Sequence, residues 1–302
     1  MYDEGLIVKV GEALQQKYYL SKAKVSRKTD TTWWDDGGLT SSSTAEVKKL
    51  MGGAVFDNPK PLSLLRRMLK LVTHFDKDSL VLDFFSGSAT TAHAVVQLNA
   101  EDGGCRKFIM VQLPEPCDED SEAVKAGYAN ICEIGKERIR RAGKKIAEEN
   151  ATIAPNLDIG FRVLKLDTSS LRDTSATVSE TNQEFANFER VRSDRSAEDL
   201  LFQMLLETHI PLSESIVKAK VSGNEVLFVG CDGEGAAVTS GAPLAACLDA
   251  KAKMTTEFFI EIAKLKPGIA FFRDDAFVDD SARTNLQQVF NQFSPTTSIK
   301  VI

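Results

Sequence analysis

Leu80-Val81-Leu82-Asp83-Phe84-Phe85-Ser86-Gly87-Ser88-Ala89-Thr90-Thr91 is a short apolar run that ends in a carboxylate, passes a Gly/Ser turn and enters a helix-forming stretch. A strand inside a parallel sheet is a continuous apolar run, and open α/β sheets bind ligands beyond the carboxyl ends of such strands. The reading is therefore strand, ligand loop, helix. Ser86, Gly87 and Ser88 keep the turn small enough for a ligand to approach the backbone, and Thr90 and Thr91 place hydroxyls where the helix Ala92 to Leu98 opens. Such a loop suits an amino acid or nucleoside moiety. A dinucleotide fingerprint needs three glycines at fixed offsets and a phosphate loop needs Gly-Lys-Ser/Thr; this turn has Gly87 alone and no lysine.

Working outward, Pro61 to Thr73 carries Leu62, Leu65, Leu69 and Val72 at helical spacing, after a short helix at Thr44 to Met51. Gly103-Gly104 turns the chain into a second strand, Phe108 to Leu113, completing a βαβ unit. Ser121 to Glu149 reads as one long helix covering the sheet. The amino-terminal region has a strand at Leu6 to Val10 and a long polar loop, Thr29 to Thr44, around Trp33-Trp34. Past a Ser/Thr/Asp/Glu-rich linker, a helix is expected at Leu200 to Glu207, a strand at Glu225 to Val229 and a Gly-rich turn region at Gly230 to Gly241. Helix at Met254 to Leu265, strand at Ile269 to Phe272, helix at Thr284 to Phe293 and strand at Ser298 to Ile302 complete a second small α/β unit.

The 302 residues are 43% hydrophobic and 26% charged, enough for a substantial core and two domains. A net charge of -6 argues against a uniformly basic nucleic-acid coat. Local basic stretches remain: Lys17, Lys22, Lys24, Arg27 and Lys28 near Tyr18 and Tyr19, and Lys136, Arg138, Arg140, Arg141, Lys144 and Lys145 on one helix, read as a solvated face. No apolar run is long enough to span a bilayer, and Met1-Tyr2-Asp3-Glu4 lacks the start of a signal peptide, so a cytoplasmic location without membrane contact is expected. The five cysteines have no Cys-x-x-Cys pair, which points to reduced structural thiols and no metal site.

The order Asp-Phe-Phe-Ser-Gly-Ser-x-Thr-Thr resembles the S-adenosylmethionine loop of amino-methylating DNA methyltransferases, usually Asp-x-Phe-x-Gly-Ser-Gly-Thr-Thr, with Ala89 in place of a glycine. Phe56-Asp57-Asn58-Pro59-Lys60-Pro61 resembles the Lys-Pro element of β-type enzymes of that kind. Thr90 to Val95, Lys107 to Glu115, Ile131 to Ala142 and the tail from Phe271 to Ile302 look like the modification subunit of type III restriction-modification systems. The resemblance implies an α/β fold: part of a Rossmann-like S-adenosylmethionine-dependent methyltransferase sheet, followed by a small α/β module. It places residues 1–55 at the end of a target-recognition region, 56–167 in the cofactor-binding part, 168–195 in a linker and 196–302 in a module for dimerisation or partner docking. It also implies methylation of adenine at N6 in double-stranded DNA, a homodimer and a restriction/helicase partner subunit.

For S-adenosyl-L-methionine the expected contacts are Lys60, Asp83, Phe85, Ser86, Gly87, Ser88, Thr90, Thr91, Gln112 and Glu115. Asp83 would meet the cationic amino acid end. Phe85 reads equally as pocket wall or core, and Gln112 and Glu115 compete for the ribose hydroxyls. His93 reads as a packed, hydrogen-bonded histidine, and Gly230 to Gly235 as a turn. The family's Asp-Pro-Pro-Tyr motif, which positions the flipped base, occurs nowhere in the 302 residues, whose nine prolines include no adjacent pair. No catalytic residue is therefore assigned. The expectation is a carboxy-terminal part of such a subunit, inactive alone; the alternatives are a non-catalytic interaction module or one half of a split enzyme whose second chain carries the motif.

Overall fold

The computed structural model describes residues 7–11, 13–16, 31, 33–171, 191–231 and 240–302. They fall into two compact units, Met1–Phe161 and Arg162–Ile302. The basic cluster at Lys17 to Lys28, most of the linker and Asp232 to Gly235 lie outside the described residues.

In the first unit, β1 (Ile7–Val10) and β2 (Ala13–Gln16) form an antiparallel hairpin. Helix α1 (Thr40–Met51) begins four residues before the expected start, within the polar loop, and ends at Gly52, whose left-handed φ of 81° needs glycine. Trp34 braces this region as the Arg67 guanidinium lies 4.7 Å from its ring centroid; Trp33 is exposed. Helix α2 (Leu62–Val72) starts after Pro61. Strand β3 (Leu80–Asp83), helix α3 (Thr90–Asp102) and strand β4 (Lys107–Met110) form the βαβ unit, with β3 and β4 parallel and Asp83 opposite Met110. Alanine and valine leave α3 thin enough to be buried on several sides: Ala94, Val95 and Leu98 pack with Leu69 of α2, while Val96 and Ala100 meet Ala142 and Ile146 beyond them.

The long helix expected over Ser121 to Glu149 is two helices, α4 (Glu122–Lys125) and α5 (Ile131–Glu149). Gly127 at φ 90° and the bridge between Pro116 and Asn130 interrupt it, and the Asn130 side chain caps α5 by accepting from the Glu133 N–H. Apolar periodicity persists through the break, which is why the sequence reads as continuous.

The second unit is a three-layer α/β/α arrangement around a mixed sheet in the order β5-β6-β7-β8-β9. The strands are β5 (Ile216–Val221), β6 (Asn224–Val229), β7 (Leu244–Cys247), β8 (Ile269–Phe272) and β9 (Ser298–Val301); β5–β6 and β6–β7 pair antiparallel, β7–β8 and β8–β9 parallel. Helix α6 (Ala197–Glu207) puts Leu200, Leu201, Met204 and Leu205 against Leu227, Val229, Leu244 and Phe271. Helices α7 (Thr256–Lys264) and α8 (Asp280–Phe293) cover the other face, where Phe258, Phe259 and Phe290 meet Phe228 and Phe272. Period-two alternation along β6 and β8 sends successive side chains into the two cores.

The sequence reading contains neither β5 nor β7, and β7 begins just beyond the expected turn region, Gly230 to Gly241. Both ends of the expected linker are structured, with Leu171 bridged to a buried Val191. Cys105, Cys117, Cys132 and Cys247 are free thiols, and burial pushes the Cys247 thiol up to about 12, keeping it protonated. Among the described residues no helix is long and apolar enough to cross a membrane, and no cluster of His, Cys, Asp and Glu could hold a metal.

Candidate functional site

The loop between β3 and α3 is fixed by four sets of hydrogen bonds. The Ser86 N–H donates to the Val111 carbonyl (3.2 Å) and the Ala89 N–H to the Ser86 carbonyl (2.7 Å), closing a tight turn at the strand ends. The Gly87 N–H donates to Gln112 Oε1 at 2.8 Å. Thr91 Oγ1, on the first turn of α3, donates to Asp83 Oδ2 at 2.5 Å. From below, Arg138 of α5 donates from Nη1 to Ser88 Oγ (2.7 Å) and Thr90 Oγ1 (2.6 Å).

Gly87 sits at φ 52°, and an added Cβ would lie 3.1 Å from the Phe56 ring, so the segment Phe56 to Pro61 reaches the loop through Phe56. Gly135 lets α5 approach equally closely: its Cβ would lie 3.3 Å from the Gly87 carbonyl oxygen. Ala89 takes a left-handed φ of 58°, which accounts for the glycine usual at that position of the motif.

Asp83 is thus joined to Thr91 and Gly87 to Gln112, and Ser88 and Thr90 are buried at 2% and 5% exposure. Phe85 is 79% exposed, so the core reading of that residue is corrected: the turn points it away from the packed side. Lys60 and Glu115 are exposed, and Gln112 is half-buried with its carbonyl occupied by the loop. His93 is packed, yet among the described residues its buried Nδ1 has no hydrogen-bond partner, contrary to the expectation; burial, with Arg138, Lys145 and Arg66 nearby, lowers its pKa to about 3.

Arg138 is the residue that sequence reasoning placed wrongly. The charge pattern reads it as part of a solvated basic face, whereas it is 1% exposed. Its spacing held the signal, since it falls four residues after Ile134 and four before Ala142, both buried. The rest of that face is solvated and charge-paired on its own helix: Lys136 with Glu133 (2.6 Å), Arg141 with Glu137 (2.7 Å), Lys145 with Glu149 (3.8 Å).

In the second unit, Arg192, Arg195 and Arg273 line a cavity of about 460 Å³ near the carboxyl ends of β7 and β8, together with Glu225 and Asp249. Each arginine already meets a carboxylate: Asp194 at 3.4 Å, Asp167 at 2.7 Å and Asp275 at 3.1 Å, respectively. The balanced charge selects no ligand.

Residues 7–144, which contain this strand, loop and helix, match the DNA methylase family. Part of the chain is also similar to type III modification subunits. It is 46% identical over 132 residues to the type III restriction-modification enzyme StyLTI Mod subunit of Salmonella typhimurium, covering 44% of this chain and 20% of that protein. Against the EcoPI Mod subunit of Escherichia phage P1 it is 42% identical over 139 residues, covering 46% and 21%. The type II methyltransferase M.KpnI of Klebsiella pneumoniae is 38% identical over 112 residues, covering 37% and 26%. The chain thus matches about a fifth to a quarter of the length of these relatives.

Proposed function

We propose that this chain is the S-adenosylmethionine-binding portion of a site-specific DNA methyltransferase acting on adenine N6 in a type III restriction-modification system. The observation that carries the reading is the braced loop from Asp83 to Thr91, at the carboxyl ends of two parallel strands, inside the segment that matches DNA methylases.

The residues fit the cofactor. Asp83 spends Oδ2 on Thr91 and keeps Oδ1 for the ammonium group. The tight turn at Ser86 and Gly87 admits close backbone contact, and Phe85 forms a wall. Since the Gln112 carbonyl supports Gly87, Glu115 takes the ribose hydroxyls as a two-oxygen acceptor. Lys60 closes the methionine end. When bound, the cofactor supplies an electrophilic methyl group on a sulfonium. The adenine amino nitrogen is a weak nucleophile that must be held in line and must accept help from hydrogen-bond acceptors. In this reading an Asp-Pro-Pro-Tyr motif supplied by a second polypeptide does this.

The partners in this reading are double-stranded DNA, a second copy of the chain, a restriction/helicase subunit and a polypeptide carrying the catalytic half. A non-catalytic interaction module is the second reading; the exposed apolar side chains of Leu80, Leu82, Phe84 and Ile109 favour it. Transfer of a tritiated methyl group from S-adenosylmethionine to adenine-containing duplex separates the two. The methyltransferase reading expects no transfer by the chain alone and transfer once a polypeptide with the motif is added. Failure of the mixture, with both chains folded and associated, favours the interaction module.

A further inference from the structure

Arg138 carries a charge that its surroundings do not balance. Among the described residues it forms no ion pair, and its Nε has no hydrogen-bond partner although it is buried. The acid that acts on it is Glu46, exposed on α1 and beyond ion-pair distance. Burial lowers the guanidinium to about 10, so it stays charged at neutral pH. A buried, unpaired cation is costly, and folds retain one where something offsets it.

What lies next to it shares one polarity. Ser88 Oγ and Thr90 Oγ1 both accept from Arg138, which leaves each hydroxyl its own proton to donate. They flank the start of α3, whose cap residue Ala89 has a left-handed backbone and offers no side-chain acceptor, so among the described residues no side chain caps the N–H groups of the first turn. Guanidinium, hydroxyl protons and helix N-terminus all favour an anion. Asp83, at the end of β3, favours a cation. An amino acid end with both an ammonium and a carboxylate matches this division.

We propose that Arg138 is a positioning residue that orients Ser88 and Thr90 and makes the floor of the loop selective for the carboxylate of the bound cofactor. The inference rests on the cofactor reading given above and adds to it which end of the ligand lies where. Ser88 and Thr90 then serve as relays: their oxygens face Arg138 and their protons the carboxylate.

The test compares two probes, S-adenosylmethionine and its decarboxylated analogue, titrated into wild type, Arg138→Met and Arg138→Lys. Wild type is expected to bind the carboxylate-bearing probe more tightly. Arg138→Met is expected to weaken that probe about tenfold or more while changing the decarboxylated one by less than about threefold, with partial recovery in Arg138→Lys. Should Arg138→Met fail to fold, Ser88→Ala with Thr90→Val keeps the arginine and removes the relay, and the same selective loss is expected. Equal weakening of both probes overturns this inference and leaves the cofactor reading standing. Binding of neither probe by folded wild type overturns both.

Discussion

Two parallel strand pairs in this protein are written in the same apolar alphabet and end in different surroundings. In the second unit, β7 is buried along its whole length and β8 nearly so, because α6 covers one face of the sheet and α7 and α8 the other. In the first unit, β3 and β4 alternate between half-buried and exposed: Val81 and Phe108 pack towards α3, while Leu82 and Ile109 are 52% and 46% exposed. Parallel strands with apolar side chains on both faces belong in the middle of a fold. The second unit supplies both covers from its own chain; the first supplies one, and the loop beside the uncovered face carries the candidate site.

The contrast predicts unequal mutational costs. Phe272→Ala removes a fully buried ring that packs on Phe258, Phe259 and Phe290 and is expected to cost about 3–5 kcal/mol. Both tryptophans lie in the first unit, so in urea this loss should shift circular dichroism and leave tryptophan fluorescence in place. Acid should act on the first unit. His93 is neutral in the fold with a pKa of about 3 against an ordinary 6.5, so the unfolded chain binds its proton first. Its contribution is complete above pH 6.5 and declines as pH falls towards 3; His93→Gln should flatten that part of a fluorescence-detected stability profile. Asp167 in the second unit, held at about 2 by Arg195, acts at lower pH.

Smaller effects refine the comparison. Gly87→Ala meets both a left-handed backbone and the Phe56 ring, and is expected to cost about 1–3 kcal/mol by urea denaturation. Leu82→Ser, on the uncovered face, should change stability by no more than about 0.5 kcal/mol while reducing self-association measured by light scattering. A cost near that of Phe272→Ala would mean that the face is covered after all.

Much of this was legible in the chain. The strand, loop and helix around Asp83 could be read because three local signals agree: an apolar run, a Gly/Ser turn and a helix-forming stretch. Strand β8 was read to the residue. Strand β7 was not, because Leu-Ala-Ala-Cys has little intrinsic strand preference and becomes a strand through its neighbours in the sheet. The break between α4 and α5 hid in an apolar pattern that runs across it. Arg138 was misplaced because charge usually reports exposure, and only the packing of α5 beneath the loop reverses that. The support that Gln112 gives to Gly87 depends on β3 and β4 being neighbours, which side-chain chemistry alone does not reveal.

Calorimetric titration of wild type and Asp83→Ala decides whether the loop from Asp83 to Thr91 binds S-adenosylmethionine in this chain. The expected result is saturable binding by wild type and an affinity at least about tenfold lower in a folded Asp83→Ala variant, the range for a hydrogen bond to a charged group. Folded wild type that takes up no cofactor, or an Asp83→Ala variant that binds as well as wild type, would contradict it.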